Sequence, residues 1–255
     1  MTARNKSKIN QVFTEWPHET VVTLKWLADR GVSRFLARSY VKGDWIKPIG
    51  PGAFVKADTK PLWSGGLHAL QDQLKLQVHA GGETALRWHG YGHNVLMSSL
   101  PTAYLFAPQG TKLPSWFLKY KWANKIQFKT TDFLPYKKDF GFTVDRQTGI
   151  ILSSPERAIL ETLLLMPEHT TFDGAAHWME GLTTLRPELV SALLRACRSV
   201  KVKRCFLYLA DQSNHVWFER LDLSNVDLGK GKRVVVSGGV FNQKYQITVP
   251  HTHTG

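Results

Sequence analysis

The stretch from Val21 to Lys56 most constrains the fold, because it has the pattern of two short helices joined by a tight turn. Apolar residues recur at helical spacing in its first part: Val21, Leu24 and Ala28. Gly31 follows where a residue that adopts positive φ ends a helix, and Ser33 is of a type that caps the next one. We therefore predict a helix-turn-helix whose second helix runs from Arg34 to Val41.

The predicted second helix is basic on one side. The side chains expected to pack inward are Phe35, Leu36 and Tyr40, and those expected to face outward are Arg34, Ala37, Arg38 and Lys42. In a DNA reader such an outward face enters the major groove, where arginine contacts guanine through two hydrogen bonds. Arg34 and Arg38 are four residues apart and are therefore expected to point the same way.

Two short β-type runs follow the second helix. Trp45–Ile46 and Phe54–Val55 are joined by the turn-forming Gly50–Gly52, which predicts a hairpin, or wing. Lys47 and Lys56 on this hairpin are expected to contact flanking phosphates. The predicted DNA-binding residues of the winged helix are Ser33, Arg34, Arg38, Lys42, Lys47 and Lys56. The same spacing also fits a small helical bundle with a solvated basic face, so spacing alone leaves both interpretations open.

Composition favours a soluble protein with a polyanionic partner. The 255 residues carry a formal net charge of +13, and residues 1–60 hold 11 Lys and Arg against 5 Asp and Glu. Residues 1–15 lack the apolar core of a secretory signal, and the most apolar run, Ala158–Met166, is short and contains Glu161. Cys197 and Cys205 are too few for a disulfide framework and are predicted to be buried free thiols. We expect a cytoplasmic protein without membrane contact.

The remainder of the chain predicts a larger mixed α/β domain, so the expected fold class is α+β. The predicted domains are a winged helix at 1–58 and a second domain at 59–255. Runs of β-branched and aromatic residues predict strands at 103–106, 126–128, 142–144 and 150–152. Ser153 is expected to cap a helix that begins near Pro155. A closing hairpin is predicted between Val234–Val236 and Tyr245–Val249, with its reversal at Gly238 and Gly239.

No pattern of residues predicts catalysis, a cofactor or a metal site. Ser153 and Ser154 lie beside charged residues, but no Gly-x-Ser-x-Gly elbow surrounds them. Three aspartates are spread through the predicted sheet without the clustering that holds a nuclease metal ion: Asp132, Asp139 and Asp145. His89 and His93 have the spacing of zinc ligands, yet glycines lie between them and no third ligand accompanies them. We therefore expect a protein that is not an enzyme.

Seven short segments, in a consistent order, resemble the AbiEi family of antitoxins and transcriptional regulators from type IV toxin–antitoxin, or abortive-infection, systems. The segments are Gly81–Leu86, Leu113–Phe117, Ser153–Ala158, Glu180–Pro187, Val200–Arg204, Gly229–Val234 and Lys244–Pro250. The match is spread over most of the range from residue 18 to residue 250.

The resemblance implies a bipartite protein of phage defence. The winged helix would bind double-stranded operator DNA, at inverted repeats in the promoter of its own operon, and repress it. The larger domain would neutralise a nucleotidyltransferase toxin of the AbiEii type without a stable complex. We expect a monomer in solution that binds DNA cooperatively, with no cofactor and no metal. The DNA-reading positions carried over to this chain are Ser33, Arg34, Arg38 and Lys42, supported by Lys47.

Basic residues also recur in the second domain. They form a candidate cationic face for DNA, or for an RNA shared with the toxin: Arg195, Arg198, Lys201, Lys203, Arg204, Lys230, Lys232 and Arg233. A merely solvated surface explains them equally well. Two other functions also stay open: a stand-alone winged-helix transcriptional regulator with a sensing or oligomerisation domain, and a DNA-processing enzyme with a winged-helix targeting domain.

Overall fold

The computed structural model describes residues 3–17, 19–92 and 100–251, and they form the predicted α+β fold. The first elements are α1 (Ala3–Glu15), β1 (Val22–Thr23), α2 (Leu24–Asp29), α3 (Arg34–Lys42), β2 (Ile46–Gly50) and β3 (Ala53–Lys56). Next are α4 (Trp63–His68), continued by a π-helical turn (Ala69–Gln73), then β4 (His79–Ala80), α5 (Gly82–Trp88), β5 (Ala103–Ala107), α6 (Ser115–Lys119), β6 (Ile126–Thr130), β7 (Phe142–Val144) and β8 (Ile151–Ser153). The last are α7 (Pro155–Leu164), α8 (Phe172–Gly181), α9 (Pro187–Ala196), α10 (Val200–Gln212), a 3₁₀ turn (Phe218–Arg220), β9 (Arg233–Val234), β10 (Val240–Asn242) and β11 (Ile247–Val249).

The chain divides into two compact units. The first comprises Met1–His79, Gly110–Ile126 and Val144–Ile150, and the second comprises Ala80–Gln109, Gln127–Thr143 and Ile151–Gly255. In the first unit the buried side chain of Gln73 accepts a hydrogen bond from the Thr23 backbone N–H at 2.8 Å and donates one to the Val21 carbonyl at 3.0 Å. The segment after residue 58 therefore completes the packing of this unit, and the domain limits 1–58 and 59–255 stay a prediction.

Three helices and a small antiparallel sheet surround the core at the start of the first unit. The strand order is β1-β3-β2, with Val22 opposite Phe54 and Ile46 opposite Lys56. Helix α2 begins later than its apolar spacing predicts, because Val22 and Thr23 pair with β3 and Thr23 caps the helix. The buried core consists of Ile9, Val12, Trp16, Val22, Trp26, Leu27, Val32, Ala37, Tyr40 and Ile46.

A glycine turn joins α2 to α3. The Gly31 N–H donates to the Ala28 carbonyl at 2.8 Å, and the Val32 N–H donates to the Leu27 carbonyl at 2.9 Å. These two bonds are the Schellman pattern, in which the residue after the helix adopts positive φ, and φ of Gly31 is 72°. Val32 and Leu27 are both fully buried, so the turn directs the chain into α3 while filling the core.

Helix α3 faces the core with different residues than predicted. Phe35 is 79% exposed, whereas Ala37 and Tyr40 are 2% and 0% exposed. The prediction that Phe35 packs inward and Ala37 faces outward was therefore wrong. It sorted residues by hydrophobicity, but at 3.6 residues per turn position 35 lies on the side of the helix opposite Tyr40. The small Ala37 side chain lies on the buried side.

The second unit is built on a five-stranded sheet with the order β6-β5-β4-β8-β7. All four strands predicted for the middle of the chain are present in it, with ends that differ by at most two residues. Ser154, not Ser153, is the N-cap position of α7, because Ser153 is the last residue of β8.

The predicted hairpin at the end of the chain is wrong in its pairing. Strand β9 pairs in parallel with β11, and the antiparallel partner of β11 is β10. The tight reversal lies between β10 and β11, where the Asn242 side-chain oxygen accepts the Tyr245 N–H at 3.0 Å. The prediction placed this reversal at Gly238 and Gly239, which connect β9 to β10 instead.

We expect Gly31→Ala to lower the free energy of unfolding by about 1–2 kcal/mol, because a Cβ disfavours positive φ. Urea unfolding of the full chain measures the change. Gly181→Ala is the matched control: Gly181 ends α8 without positive φ and has open space around its Cα, so this change is expected to be neutral or slightly stabilising. Equal stability of the two variants would contradict the role given to the Gly31 turn.

Candidate nucleic-acid interface

The exposed face of α3 carries three cations and one aromatic ring. Its residues are Arg34, Phe35, Arg38 and Lys42, all exposed, and α3 contains no Asp or Glu. Ser33 caps the helix, since its hydroxyl oxygen accepts the Leu36 N–H at 3.2 Å. The hydroxyl hydrogen of Ser33 stays available to donate to a ligand. This face is therefore rich in donors and free of negative charge.

The cations of this face are not used by the fold. Within the described part of the chain, no hydrogen bond or ion pair engages the side chains of Arg34, Arg38 or Lys42. Like charges that lie close together without counterions raise the local positive potential and attract polyanions. Arg34 and Arg38 lie one helical turn apart, as predicted.

A groove of 710 Å³ lies between α3 and the hairpin of β2 and β3. The cations Arg34, Arg38 and Lys42 of α3 line one side of it. The rest of its lining is mainly apolar: Leu24, Ala37, Val41, Pro48, Pro51, Gly52 and Phe54. The helix and the hairpin therefore present one concave surface with positive charge along the helix side.

The two hairpin lysines differ in what they contact. Lys47 is exposed, and its ammonium donates to the Ala57 carbonyl at 2.8 Å and lies 3.9 Å from a carboxylate oxygen of Asp44. Lys56 is half-buried, and its ammonium donates to the carbonyls of Phe13 and Trp16, both at 3.2 Å. These carbonyls lie at the C-terminal end of α1, where a cation is favourable. Lys56 therefore stabilises the fold. Its position on a predicted strand did not reveal this role, because the carbonyls that it binds lie about 40 residues earlier in the chain.

The predicted basic face of the second unit does not form one surface of free cations. Arg204 is 3% exposed, and its guanidinium donates to the carbonyls of Leu228, Gly229 and Gln246 at 2.8, 3.0 and 3.1 Å. Lys203 is also buried. Three more cations have partners on the protein: Lys201 on the Met166 carbonyl at 2.6 Å, Arg195 on Asp222 at 2.9 Å and Arg198 on Asp132 at 2.8 Å. Most of α10 is buried. The number of basic residues in the sequence of this region is therefore larger than the number of cations free on its surface.

The remaining cations of this set lie on the segment Gly229–Arg233, which we call the basic loop. Lys230, Lys232 and Arg233 are exposed, and the Lys232 ammonium lies 4.5 Å from the ring centroid of Phe241. The buried guanidinium of Arg204 donates hydrogen bonds to the Gly229 and Gly231 carbonyls of the loop. The basic loop is therefore an exposed cationic feature with a fixed backbone.

The motif Ser153–Ala158 takes part in a buried ionic network. The fully buried carboxylate of Glu161 accepts the Ser153 hydroxyl at 2.7 Å, the Arg157 Nε–H at 2.9 Å and the Gly82 N–H at 3.0 Å. A Cβ at Gly81 would overlap that carboxylate, so the glycine is required there. The Ser153 hydroxyl is buried and donates to a carboxylate that Arg157 also binds, so serine, glutamate and arginine form one buried hydrogen-bonded network.

The acidic and histidine residues considered for metal binding are dispersed. Within the described ranges, no group of three His, Cys, Asp or Glu side chains is placed to hold a metal ion. Asp132 pairs with Arg198, and Asp145 accepts the Thr148 hydroxyl at 2.6 Å. His89 Nε2 lies 2.9 Å from the Ser153 carbonyl oxygen, and His93 lies outside the described residues.

Two further sequence predictions concern thiols and membranes. Cys197 and Cys205 are free and buried, as predicted, and burial raises the pKa of Cys205 to about 12. In the part of the chain that the structure describes, no helix has both the length and the apolar character needed to cross a bilayer.

Comparisons with known proteins identify sequence and fold relatives. Residues 101–250 match the family model described as transcriptional regulator, AbiEi antitoxin, type IV toxin–antitoxin system, and residues 5–97 match that of the AbiEi antitoxin N-terminal domain. No functionally curated protein matches the chain significantly. The crystal structure of the RV2827C protein from Mycobacterium tuberculosis superposes with a TM-score of 0.65, covering 97% of this chain and 92% of that chain at 14% identity. At this identity the likeness shows the fold alone.

The stability of the fold is expected to depend on pH through Glu156, which lies in the Ser153–Ala158 motif. Burial alone would raise the pKa of its carboxyl, but bonds from Arg186, at 2.8 and 3.0 Å, lower the pKa below its ordinary value. A lowered pKa in the folded state stabilises the fold above the unfolded pKa, and this stabilisation is lost as the pH falls through the folded pKa. We expect Glu156→Gln to cost about 1.5–3 kcal/mol at pH 7, and less as the pH falls below 4.5.

Urea unfolding at pH 7, 5, 4 and 3, which spans the range below 4.5 where the loss is expected, tests this expectation. Glu219→Gln, at an exposed position, is the control and is expected to change stability little at any pH. A destabilisation by Glu156→Gln that stays constant over this range would show that the carboxylate charge is not the cause.

Proposed function

The chain belongs to the AbiEi antitoxin family of transcriptional regulators from type IV toxin–antitoxin systems, and on that premise we propose that it represses its own operon and neutralises the cognate toxin. Each role is assigned to a different surface. Operator binding is assigned to the face of α3 with the adjoining hairpin, and toxin neutralisation to the second unit.

The DNA-binding module we propose is a winged helix at 1–58. The order of α1, β1, α2, α3, β2 and β3, with strand order β1-β3-β2, supports this assignment. In this arrangement α3 is the recognition helix and the β2–β3 hairpin is the wing. The preceding α2 and the Gly31 turn set the angle at which α3 enters the groove.

The observation that carries the proposal is the set of unpaired cations on α3. Arg34 and Arg38 lie one turn apart and would each donate two hydrogen bonds to a guanine edge in the major groove. Lys42, the Ser33 hydroxyl and Lys47 on the hairpin would contact phosphates and fix the position of the helix. Lys56 is engaged at the end of α1 and is proposed to support the hairpin from inside.

Repression follows from occupation of the promoter. Inverted repeats present two half-sites related by a two-fold axis, so each would bind one copy of the chain in the same way. The copies would be monomeric in solution and bind cooperatively in the cytoplasm. Occupation of both half-sites would exclude RNA polymerase and keep the operon silent.

The antitoxin role is assigned to the second unit. We place it on the basic loop, because Lys230, Lys232 and Arg233 are exposed. The partner proposed for this loop is the phosphate backbone of an RNA that is also bound by an AbiEii-type nucleotidyltransferase toxin. Competition for the RNA would neutralise the toxin without a stable protein complex.

A growth assay tests the function as a whole. Co-expression of this chain with the product of the adjacent gene is expected to restore growth that the adjacent product alone inhibits. Toxicity without rescue would contradict the antitoxin role and favour a stand-alone regulator with a sensing or oligomerisation domain.

For the recognition helix, we expect Arg34→Ala and Arg38→Ala each to weaken binding to the operator by about 1–3 kcal/mol and to relax the sequence preference. Titration of a labelled promoter fragment with the full chain measures both effects. Arg220→Ala, an exposed arginine of the second unit, is the control and is expected to bind as the parent does. Unchanged operator affinity of both α3 variants would show that these arginines do not contact the bases.

For the basic loop, we expect the triple charge reversal Lys230→Glu, Lys232→Glu and Arg233→Glu to abolish growth rescue and leave operator affinity within about twofold. The control triple variant, with the same change of charge, is Lys137→Glu, Lys138→Glu and Arg220→Glu at exposed positions of the second unit. Equal rescue by the two variants would refute the assignment of the basic loop.

A further inference from the structure

Phe35 is an exposed aromatic residue in the middle of the cationic face of α3. It is 79% exposed, whereas Trp45, the next most exposed aromatic side chain in the described ranges, is 37% exposed. Phe35, Arg38 and Lys42 follow the i, i+3, i+7 spacing that places side chains on one helix face. The ring therefore projects from the surface proposed to enter DNA.

The Phe35 ring contributes little to the fold. The core side of α3 is occupied by Ala37 and Tyr40, both almost fully buried. A phenyl ring left in water lacks the stabilisation that burial of its apolar surface would supply. An apolar group in this position gains free energy only when a ligand covers it.

We propose that Phe35 is a specificity residue that contacts the C5-methyl group of a thymine in the operator, an inference that rests on the proposed DNA binding. The thymine methyl is the apolar group that a base pair exposes in the major groove, and phenylalanine is among the side chains that contact it. The charge around Phe35 favours DNA over a protein partner, since three cations flank the ring and α3 has no acidic residue.

Helix geometry limits where this thymine lies. Arg34 and Arg38 are separated by about 6 Å along the helix axis, at 1.5 Å per residue. Successive base pairs are about 3.4 Å apart, so residues 34–38 span roughly two base steps. Phe35 lies between the two arginines in sequence, so its thymine is within two base steps of a guanine that they contact.

Replacement of single thymines by uracil tests the contact, because uracil lacks only the methyl group. Burial of one such group contributes about 0.8 kcal/mol, so we expect one thymine per half-site at which uracil weakens binding of the parent chain about fourfold. In Phe35→Ala the same replacement is expected to change affinity less than about 1.5-fold. Leu118→Ala, which shortens another exposed apolar side chain of the first unit, is the control and should keep the fourfold effect.

The outcomes separate this inference from the proposed function. Specific binding by the parent chain with no effect of uracil at any position would overturn the contact while leaving operator binding intact. A fourfold effect of equal size in the parent and in Phe35→Ala would assign the methyl contact to another residue. Weaker binding of Phe35→Ala with loss of cooperativity, equal for thymine and uracil, would make Phe35 a contact between copies. Absence of specific binding by the parent chain would overturn the proposed function and the inference with it.

Discussion

The burial of Tyr40 and Ala37 fixes the rotation of α3, and the character of the exposed surface follows from that rotation. Tyr40 is fully buried in the core that α1, α2 and the small sheet share. Positions 35, 38 and 42 lie on the side of the helix opposite position 40. Burial of Tyr40 therefore directs Phe35, Arg38 and Lys42 outward. The Gly31 turn and the Ser33 cap fix where this helix starts. The cations are thus held by a rigid element rather than by a mobile loop.

A second constraint governs the other compact unit. The buried Glu161 carboxylate there is satisfied by Arg157, Ser153 and the Gly82 backbone, while Glu156 binds Arg186. A buried charge without such partners costs several kcal/mol, so these residues depend on one another. This dependence gives a structural reason for serine, glutamate and arginine to lie side by side in the Ser153–Ala158 segment.

The sequence was informative where the signal is local. Gly31 and Ser33 marked the helix ends, and β-branched runs marked the four middle strands, because turn and strand preferences act over a few residues. Phe35 was placed on the wrong face, since hydrophobicity alone does not state which side of a short helix packs. The buried position of Arg204 and the role of Lys56 depend on carbonyl groups distant in sequence. The parallel pairing of β9 with β11 is likewise a long-range contact that no local pattern encodes.

The central claim is that α3 reads guanine in the major groove of an operator. Dimethyl sulfate interference on the upstream promoter fragment tests it most directly, because this reagent methylates guanine at N7 in the major groove and adenine at N3 in the minor groove. Guanine methylation is expected to block binding of the full chain at matching positions in two inverted half-sites. Interference confined to adenine, or no interference at any position, would contradict it.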